Sequence, residues 1–274
     1  MTNKKITVLK LGGSLLTDKS TPYKVREGIL DAVAHELKEC IDLGLIESLV
    51  LIHGVGSYGH PPVIKYKLYS GFTDEKQLIN LSKTQYIVSK FRLMIVNSLI
   101  EAGIPVNLMY PSSMVIGKKM KISYYMFKAL KGYLSIGMVP LLGGDMIYDE
   151  VMGFSICSGD PLAVVIAREL RAEQLIYASD VAGVYEKDPK IDSKASLIKE
   201  IYINEIEQVV QKMEESNKND TSGKMKGKLT SLIPAKDLIE NGLEVSILSM
   251  MEPNILKNFL EGNDVPVTRV ISKN

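Results

Sequence analysis

The 274-residue sequence predicts an α/β protein with a mostly parallel sheet sandwiched by helices, because short apolar runs alternate with amphipathic segments along most of its length. Two glycine-rich turns directly follow such runs, as expected for loops at the carboxyl ends of parallel strands. A hydrophobic content of 46% is enough for a large core. Strands are predicted at residues 5–10, 48–53, 105–109, 138–142, 173–179, 243–248 and 266–271.

Amphipathic helices are predicted between these strands, near residues 25–43, 75–102, 123–136, 160–171, 202–215, 227–241 and 253–261. Residues 146–154, in which a polar Tyr-Asp-Glu triplet lies between apolar flanks, indicate a small hairpin inserted after a strand. The polar stretch 214–228 is rich in lysine, asparagine and glycine. It indicates a mobile loop beside a site rather than a domain boundary.

The composition excludes several function classes. A net charge of +1 gives no indication of the strongly basic surface that binds nucleic acid or an anionic membrane. The chain enters a strand at once, and no apolar stretch approaches the roughly 18 residues that a membrane span requires. We therefore expect a cytoplasmic protein with no nucleic-acid or membrane partner. Cys40 and Cys157 are far apart, so they are predicted to be packing residues rather than a disulfide or a metal knuckle.

The most constrained segment is the turn at residues 51–60, LIHGVGSYGH. Glycine permits positive φ and removes the Cβ that keeps a ligand from the backbone, so successive N–H groups can converge on phosphate oxygens. A helix that starts just after the turn would add the attraction of its N-terminal dipole. The same composition also suits a plain strand-to-helix connection, and this segment alone leaves both interpretations open.

A second turn, at residues 8–14, favours anion binding. It places Lys10 inside a predicted strand, where a buried cation is costly unless it meets an anion. Lys19 follows within one short loop and adds a second cation. Neither turn has the spacing of a Walker A loop or of a dinucleotide-binding fingerprint. Two separate glycine turns with cations beside them indicate two bound phosphate groups that face each other.

Three later segments add candidate chemistry. Gly159, at the predicted start of a helix, can offer its N–H to an anion, while Asp160 after it is either functional or simply a helix cap. Asp180 follows a strand in a turn that suits either the edge of a nucleotide site or an ordinary loop. Residues 220–228 carry three lysines around two glycines, which as an isolated charge run also fits a solvated face.

In their order along the chain, these motifs resemble the amino acid kinase superfamily, and the resemblance spans essentially the whole sequence. The motifs are Lys10 with Gly12-Gly13-Ser14, the turn ending at His60, Gly144-Asp145, Ser158-Gly159-Asp160, Ser179-Asp180-Val181, Lys187-Asp188-Pro189 and the loop at 222–228. Within the superfamily, His60, the proline after it and Lys19 resemble the isopentenyl phosphate kinases. The resemblance implies an open three-layer αβα sandwich with a central sheet of about eight strands. It also implies ATP and Mg²⁺ as cofactors, an isoprenoid monophosphate as the small-molecule substrate, and a homodimer.

The resemblance further implies one domain over residues 1–274, with the acceptor site and phosphate loops in 1–170 and the nucleotide site in 171–274. Its implied catalytic residues are Lys10, Lys19, His60 and Lys228. Its implied nucleotide contacts are Lys10, Gly12, Gly13, Ser14, Gly56, Asp180, Gly223, Lys224 and Lys228. Its implied acceptor contacts are Gly54, Val55, Gly59, His60 and Gly159. Metal ligands stay open, because Asp145 and Asp160 also fit structural roles.

The implied reaction is ATP-dependent phosphorylation of isopentenyl phosphate to isopentenyl diphosphate by in-line transfer. A phosphate monoester has a second pKa of about 6, so it is already largely dianionic at neutral pH and needs no general base. His60 is therefore expected to anchor the acceptor, whereas His53, at the end of a strand, is expected to be structural. Two alternatives stay open: a phosphonate kinase of the fosfomycin-resistance type, and a non-catalytic nucleotide-binding or storage protein on the same fold.

Some positions depart from the residues that are common in these relatives, namely Val55, Pro161, Ala182 and Lys224. The departures bear on nucleotide affinity more than on the reaction class. The segment 75–102 is the candidate dimer interface by analogy with the family. Its apolar residues either line a prenyl pocket or belong to the core: Leu81, Tyr86, Ile87, Phe91, Met94 and Ile95.

Overall fold

The computed structural model describes residues 4–18, 20–187, 189, 191–192, 194–216 and 223–273. Its strands are β1 Ile6–Leu11, β2 Ser48–His53, β3 Val106–Leu108, β4 Val115–Lys118, β5 Lys121–Tyr125, β6 Val139–Gly143, β7 Asp145–Asp149, β8 Gly153–Cys157, β9 Gln174–Ser179, β10 Val184–Tyr185, β11 Leu197–Ile198, β12 Glu200–Tyr202, β13 Glu244–Ser249 and β14 Val267–Ile271. Its α-helices are α1 Gly13–Leu16, α2 Glu27–Asp42, α3 Gly56–Lys65, α4 Lys76–Glu101, α5 Lys128–Ser135, α6 Gly159–Leu170, α7 Ile206–Ser216, α8 Gly223–Leu232, α9 Lys236–Glu240 and α10 Ile255–Leu260.

The central sheet has eight strands in the order β12-β14-β13-β9-β1-β2-β6-β3. Its neighbours pair in parallel except for β13 and β14, which are antiparallel. Alternate residues of β1 and β2 enter two separate cores, one on each face of the sheet. One core is covered by α2, α4 and α10, and the other by α5, α6 and α8. This is the predicted αβα sandwich with an open sheet of eight strands.

All seven predicted strands are present, and each belongs to the central sheet. The eighth strand, β12, was not predicted, because it has only three residues and lies at the edge of the sheet. The predicted hairpin at 146–154 is confirmed as β7 and β8. These strands belong to a second sheet of the order β5-β4-β7-β8.

Two predictions of secondary structure were wrong in part. The predicted helix at 123–136 begins only at Lys128, because the residues up to Tyr125 pair with β4 as strand β5. The predicted loop at 214–228 ends at Gly223, where α8 begins, while residues 217–222 lie outside the described part of the chain. The lysines at 226 and 228 are therefore carried by a helix, which fixes them more firmly than a loop would.

The topology gathers the candidate residues at one edge of the sheet. β1 lies between β9 and β2, with Lys10 beside Tyr177 on one neighbour and Ile52 on the other. Parallel strands end at the same edge, so the loops after β1, β2, β6 and β9 meet there. Cys40 and Cys157 are buried, one in each core, as predicted for packing residues. Within the described ranges, no helix has the length and apolar character needed to cross a membrane.

Candidate active site

The two glycine turns meet backbone to backbone. A Cβ on Gly13 would lie 2.4 Å from the nitrogen of Gly56, and one on Gly54 would lie 2.5 Å from the nitrogen of Gly13. The N–H of Gly54 donates to the carbonyl of Leu11 at 2.8 Å, which ties the second turn to the end of β1. Glycine is required at both positions because any side chain would separate the turns. Each turn then opens a helix, α1 after the first and α3 after the second.

Two buried lysines share one carboxylate beside these turns. Lys10 Nζ lies 2.6 Å from Oδ1 of Asp160, and Lys228 Nζ lies 3.4 Å from the same oxygen. Lys10 is 7% exposed and Lys228 is 5% exposed. Lys228 also lies over the ring of Tyr177, 4.7 Å from its centroid. The lysines come from β1 and α8, so the sheet and a helix on its surface bring two cations to one point.

Burial and neighbouring charges shift the pKa values of this cluster. Burial lowers the pKa of Lys228 to about 8, with Asp160 opposing the shift and the charge of Lys10 adding to it. Burial by itself raises the pKa of Asp160, but Lys228 and Lys10 outweigh it and hold the pKa at about 2. At neutral pH Lys228 is therefore mostly cationic and Asp160 is anionic.

The interpretation of Asp160 as a helix cap was wrong. Ser158 is the N-cap residue of α6, and no side-chain cap hydrogen bond is present there. Asp160 lies in the first turn and faces the two lysines instead. A cap would bond a backbone N–H of its own helix, whereas the paired lysines are stronger partners for a buried carboxylate.

Asp180 and Ser14 connect the first glycine turn to the loop after β9. The hydroxyl of Ser14 donates to Oδ1 of Asp180 at 2.6 Å, and the hydroxyl of Ser179 reaches the same oxygen at 3.3 Å. The N–H of Gly12 donates to the carbonyl of Ala178 at 2.7 Å. The predicted nucleotide edge therefore lies directly against the turn that follows β1.

The two histidines of the second turn have different environments. His53 is fully buried, lies edge-on to Phe91, and burial with the charges of Arg92 and Lys10 lowers its pKa to about 3. It is a neutral packing residue, which confirms the structural assignment. His60 is exposed on α3, and its Nδ1 lies 2.7 Å from the carbonyl of Gly56. A carbonyl only accepts, so Nδ1 carries the proton of that hydrogen bond.

Comparisons with known proteins show the family of this chain. The model of the amino acid kinase family matches residues 5–249. The isopentenyl phosphate kinase of Methanocaldococcus jannaschii is 36% identical over 234 residues, which cover 82% of this chain and 85% of that protein. The isopentenyl phosphate kinase of Methanothermobacter thermautotrophicus is 31% identical over 275 residues, 97% of this chain and 99% of its own. The chain belongs to the isopentenyl phosphate kinases of the amino acid kinase family.

A solved structure of an isopentenyl phosphate kinase superposes with a TM-score of 0.81 at 29% identity, covering 97% of this chain and 99% of its own. The match confirms the fold as that of the amino acid kinase family. Membership of the family also makes the protein a phosphotransferase.

In this member of the family, one cavity of about 1200 Å³ brings most of the predicted site together. Its lining includes these predicted residues: Lys10, Gly12, Gly13, Ser14, Gly54, Val55, Gly56, Gly59, His60, Gly159, Asp180 and Lys228. Lys19 and the side chain of Lys224 lie outside the described part of the chain, and Gly223 is the first residue of α8. The residues of the two glycine turns, Lys10 and Lys228 therefore line the same cavity.

Val55 of the second glycine turn also lines this cavity. A Cβ on Gly59 would lie 2.3 Å from Cγ2 of Val55, and one on Gly144 would lie 3.1 Å from its Cγ1. The isopropyl group thus packs against two glycines, while the approach of the two turns depends on the backbone of Gly13 and Gly56. Residue 59 must therefore stay a glycine while position 55 is valine, whereas a Cβ at position 144 would require the Val55 side chain to shift by only a few tenths of an ångström.

The wall that α4 contributes differs from the prediction. Thr84, Gln85 and Val88 line the cavity. Phe91 and Ile95 are instead buried in the core, which was the alternative to lining a prenyl pocket. Tyr86 and Met94 are exposed. The period of the helix alone could not distinguish these faces, because α4 carries apolar residues on more than one of them.

Sequence reasoning missed the contribution of the hairpin β4–β5, whose residues Met120, Lys121 and Ile122 also line the cavity. Asp149 holds the turn of this hairpin by accepting the N–H groups of Lys119 at 3.1 Å and Met120 at 2.9 Å. Burial alone raises the pKa of Asp149, but these and other N–H donors hold it well below its usual range. The only sequence signal for this contribution was Asp149 itself, an acidic residue inside the predicted 146–154 hairpin.

A buried ion pair supports the floor of the site. Arg92 is 0% exposed, donates to the carbonyl of Gly144 at 2.7 Å, and lies 3.4 Å from Oδ2 of Asp145. Asp145 also accepts the N–H groups of Ser112 at 3.1 Å and Met146 at 2.9 Å. Both oxygens of Asp145 are therefore engaged by protein groups, which favours its structural interpretation over metal ligation.

Proposed function

We propose that this protein transfers the γ-phosphoryl group of ATP to isopentenyl phosphate, forming isopentenyl diphosphate and ADP by direct in-line displacement. The observation that carries the proposal is the contact between the two glycine turns at Gly13 and Gly56, with buried lysines beside it and an exposed histidine beyond it. Two anionic groups held by these turns would lie next to each other. The relatives named isopentenyl phosphate kinase support this donor and acceptor pair.

The ATP phosphates bind the first turn in this proposal. Gly13 and Ser14 supply backbone N–H groups at the start of α1, Gly12 lets the phosphates approach the backbone of the turn, and Lys10 and Lys228 supply charge. Phosphoryl transfer depends on positioning and on neutralising charge more than on covalent chemistry, so lysines and amides suit it. Gly56, Asp180, Gly223 and Lys224 complete the proposed nucleotide contacts, and Lys19 neutralises the transferred group.

The acceptor phosphate binds the second turn, against Gly54, Val55, Gly59 and Gly159. His60 anchors it from α3. No base is required, because a phosphate monoester with a second pKa of about 6 is already nucleophilic at neutral pH. His60 Nδ1 already donates to the Gly56 carbonyl, so the ring orientation is fixed before the acceptor arrives.

Mg²⁺ enters this site with the nucleotide. The described residues contain no cluster of three or more histidine, cysteine or acidic side chains suited to holding a metal. Asp160 pairs with two lysines and Asp145 with an arginine. The residues present fit a metal held mainly by phosphate oxygens, and such a metal supplies further neutralisation of the phosphate charge.

We also propose that residues 1–274 form one domain in which 1–170 carry the acceptor site and the phosphate loops and 171–274 carry the nucleotide site. The central sheet supports a single domain, since β1 of the first part pairs with β9 of the second. Lys228 of the second part reaches Asp160 of the first.

Turnover with a panel of acceptors tests the proposed function. The purified protein is incubated with ATP, Mg²⁺ and isopentenyl phosphate, dimethylallyl phosphate, fosfomycin, UMP or glutamate, and ADP release is followed. We expect the highest kcat/KM with isopentenyl phosphate. Preference for fosfomycin would instead support the phosphonate kinase, and ATP binding without turnover of any acceptor would support the storage protein.

Three substitutions at one position test the anchor. His60→Ala should mainly raise the KM for the acceptor, because it removes the group that binds the phosphate. His60→Gln and His60→Asn keep a donor, so they should retain much more activity. An equal loss of kcat in all three variants, with an unchanged acceptor KM, would show that His60 does not act as an anchor.

A further inference from the structure

The side chain of Thr17 joins the two glycine turns. Thr17 follows the single helical turn α1 and is 0% exposed. Its hydroxyl donates to the carbonyl of Gly13 at 2.6 Å and accepts the N–H of Ser57 at 3.0 Å. Gly13 belongs to the first turn and Ser57 to the second, so one side chain bonds to both.

The hydroxyl lies at the point where the turns approach most closely. A Cβ on Gly56 would lie 2.0 Å from Thr17 Oγ1, so the oxygen touches the backbone of the second turn directly. Gly56 is also held at φ +46°, a conformation that favours glycine. Thr17 thus contacts the residue whose backbone lies against Gly13.

The backbone of Thr17 is fixed independently of this side chain. Its N–H donates to the carbonyl of Gly13 at 2.9 Å, and Thr17 forms a bridge with Val25. Its carbonyl accepts from Nε of Arg26 at 3.3 Å. The hydroxyl is therefore attached to a backbone whose position is fixed, which is necessary if it is to set the distance between the two glycine turns.

We propose that Thr17 is a positioning residue that fixes the separation of the donor and acceptor phosphate turns through its hydroxyl group. This inference rests on the proposed function, since it requires a phosphate at each turn. Thr17 itself need not touch either substrate. Displacing the reacting groups by about 1 Å can cost about 100-fold in rate, so loss of this link should reduce kcat while each turn still binds its own ligand.

The hydroxyl can be removed without changing the shape of the side chain. Thr17→Val keeps the branched shape but leaves the buried N–H of Ser57 without its partner. Thr17→Ser keeps the oxygen and removes only a methyl group. The pair separates the hydrogen bonds from the packing.

Thr268 provides a matched control on β14. It is also 0% exposed, its hydroxyl donates to the carbonyl of Ile198 at 2.6 Å, and it accepts the N–H of Val184 at 2.8 Å. Thr268→Val therefore removes the same pair of hydrogen bonds from a comparably buried site. The three variants are compared by kcat, by the KM and Kd for ATP and for the acceptor, and by thermal unfolding.

We expect Thr17→Val to lower kcat by about 100-fold while the Kd values for both substrates change by less than about threefold. Thr17→Ser should recover most of the wild-type kcat. Thr268→Val should lose comparable thermal stability and keep its kcat. A wild-type kcat in Thr17→Val, an equal loss of kcat in Thr17→Ser, or an equal loss in Thr268→Val would each overturn the positioning role.

The wild-type acceptor panel separates this inference from the proposed function. If the wild-type protein prefers another phosphorylated or phosphonate acceptor, the proposed substrate is wrong, and the Thr17 variants are compared with that acceptor instead. If the wild-type protein phosphorylates none of them, both proposals are overturned. Turnover of isopentenyl phosphate by the wild type with unaltered kcat in Thr17→Val overturns only the role of Thr17.

Discussion

Replacing Asp160 by asparagine tests whether one carboxylate keeps two buried lysines charged. Its Oδ1 lies 2.6 Å from Lys10 Nζ and 3.4 Å from Lys228 Nζ. At an effective dielectric constant of about 20, unit charges at the longer distance interact by about 5 kcal/mol. One pKa unit corresponds to about 1.4 kcal/mol, so even a third of that interaction is worth about one unit.

This change has a defined effect on Lys228, whose pKa is about 8 with Asp160 in place. A lysine is charged below its pKa, so the wild-type side chain is mostly cationic at neutral pH and loses its charge as the pH rises through 8. Without Asp160, which raises the pKa of Lys228, that pKa falls further. The substituted site then presents a largely neutral amine where the proposed function places the ATP phosphates. Loss of one such electrostatic contact costs about 100-fold or more in rate.

The assay is the pH dependence of kcat/KM for ATP at an acceptor concentration far below its KM, because under these conditions the ratio reports groups of the free enzyme. The wild-type profile should fall on the basic side near pH 8. The Asp160→Asn profile should fall at least about one unit lower. Lowering the pH should then restore part of its activity, since protonation returns the charge to Lys228.

Glu169→Gln is the matched control, because Glu169 lies on the same helix and pairs with Lys131 away from the cavity. Its profile should coincide with that of the wild type. An unshifted basic limb in Asp160→Asn, or the same shift in Glu169→Gln, would refute the argument that Asp160 sets the charge of Lys228.

Two further predictions concern the turns and the oligomer. Gly13→Ala should lower kcat by about 100-fold or more, because its Cβ would lie 2.4 Å from the backbone of Gly56. Gly28→Ala should keep full activity, because no atom lies within 4 Å of the Cβ that it adds. Steady-state rates of both variants test this prediction. Leu93→Glu should convert the proposed homodimer into a monomer, as measured by sedimentation equilibrium, and a dimer that persists would place the interface elsewhere. The stripe on α4 that motivates this substitution has exposed side chains at every seventh residue: Ile79, Tyr86, Leu93 and Ile100.

The central sheet was predictable because its inner strands are buried on both faces. Residues 49–52 of β2 are all apolar and buried, which gives a continuous signal that does not depend on neighbours. Strands β4 and β5 of the small sheet gave no such signal, although its hairpin β7–β8 was predicted. Only Tyr125 and Ile122 of β5 pack on the core, and the strand is otherwise exposed, so its residues resemble the start of the helix that follows. Its hairpin turn depends on Asp149, which is about thirty residues away in the chain.

The site was predictable where the local sequence is unusual. Lys10 in an apolar strand and glycines after a strand are costly in isolation, so they indicate a ligand. The ion pair between Lys10 and Asp160 was not predictable from either segment, because the two residues are 150 positions apart in the chain. Lys228 was placed near Lys10 only by the family resemblance, and its contact with Asp160 was not predicted. Thr17 and Arg92 are ordinary residues in their own segments. Only the packing of α3 and α4 against the turns gives them their contacts.

If the proposed function is correct, the shared carboxylate lets a site for two anions fold before either anion binds. Two lysines buried side by side would repel each other and lose their hydration, which favours the neutral amine. Oδ1 of Asp160 places a negative charge within 3.4 Å of both lysine nitrogens, and this charge favours their cationic form. An incoming phosphate must compete with this oxygen for the lysines. The same competition weakens the hold on ADP and the new diphosphate after transfer, so Asp160 should support both the capture of ATP and the release of products.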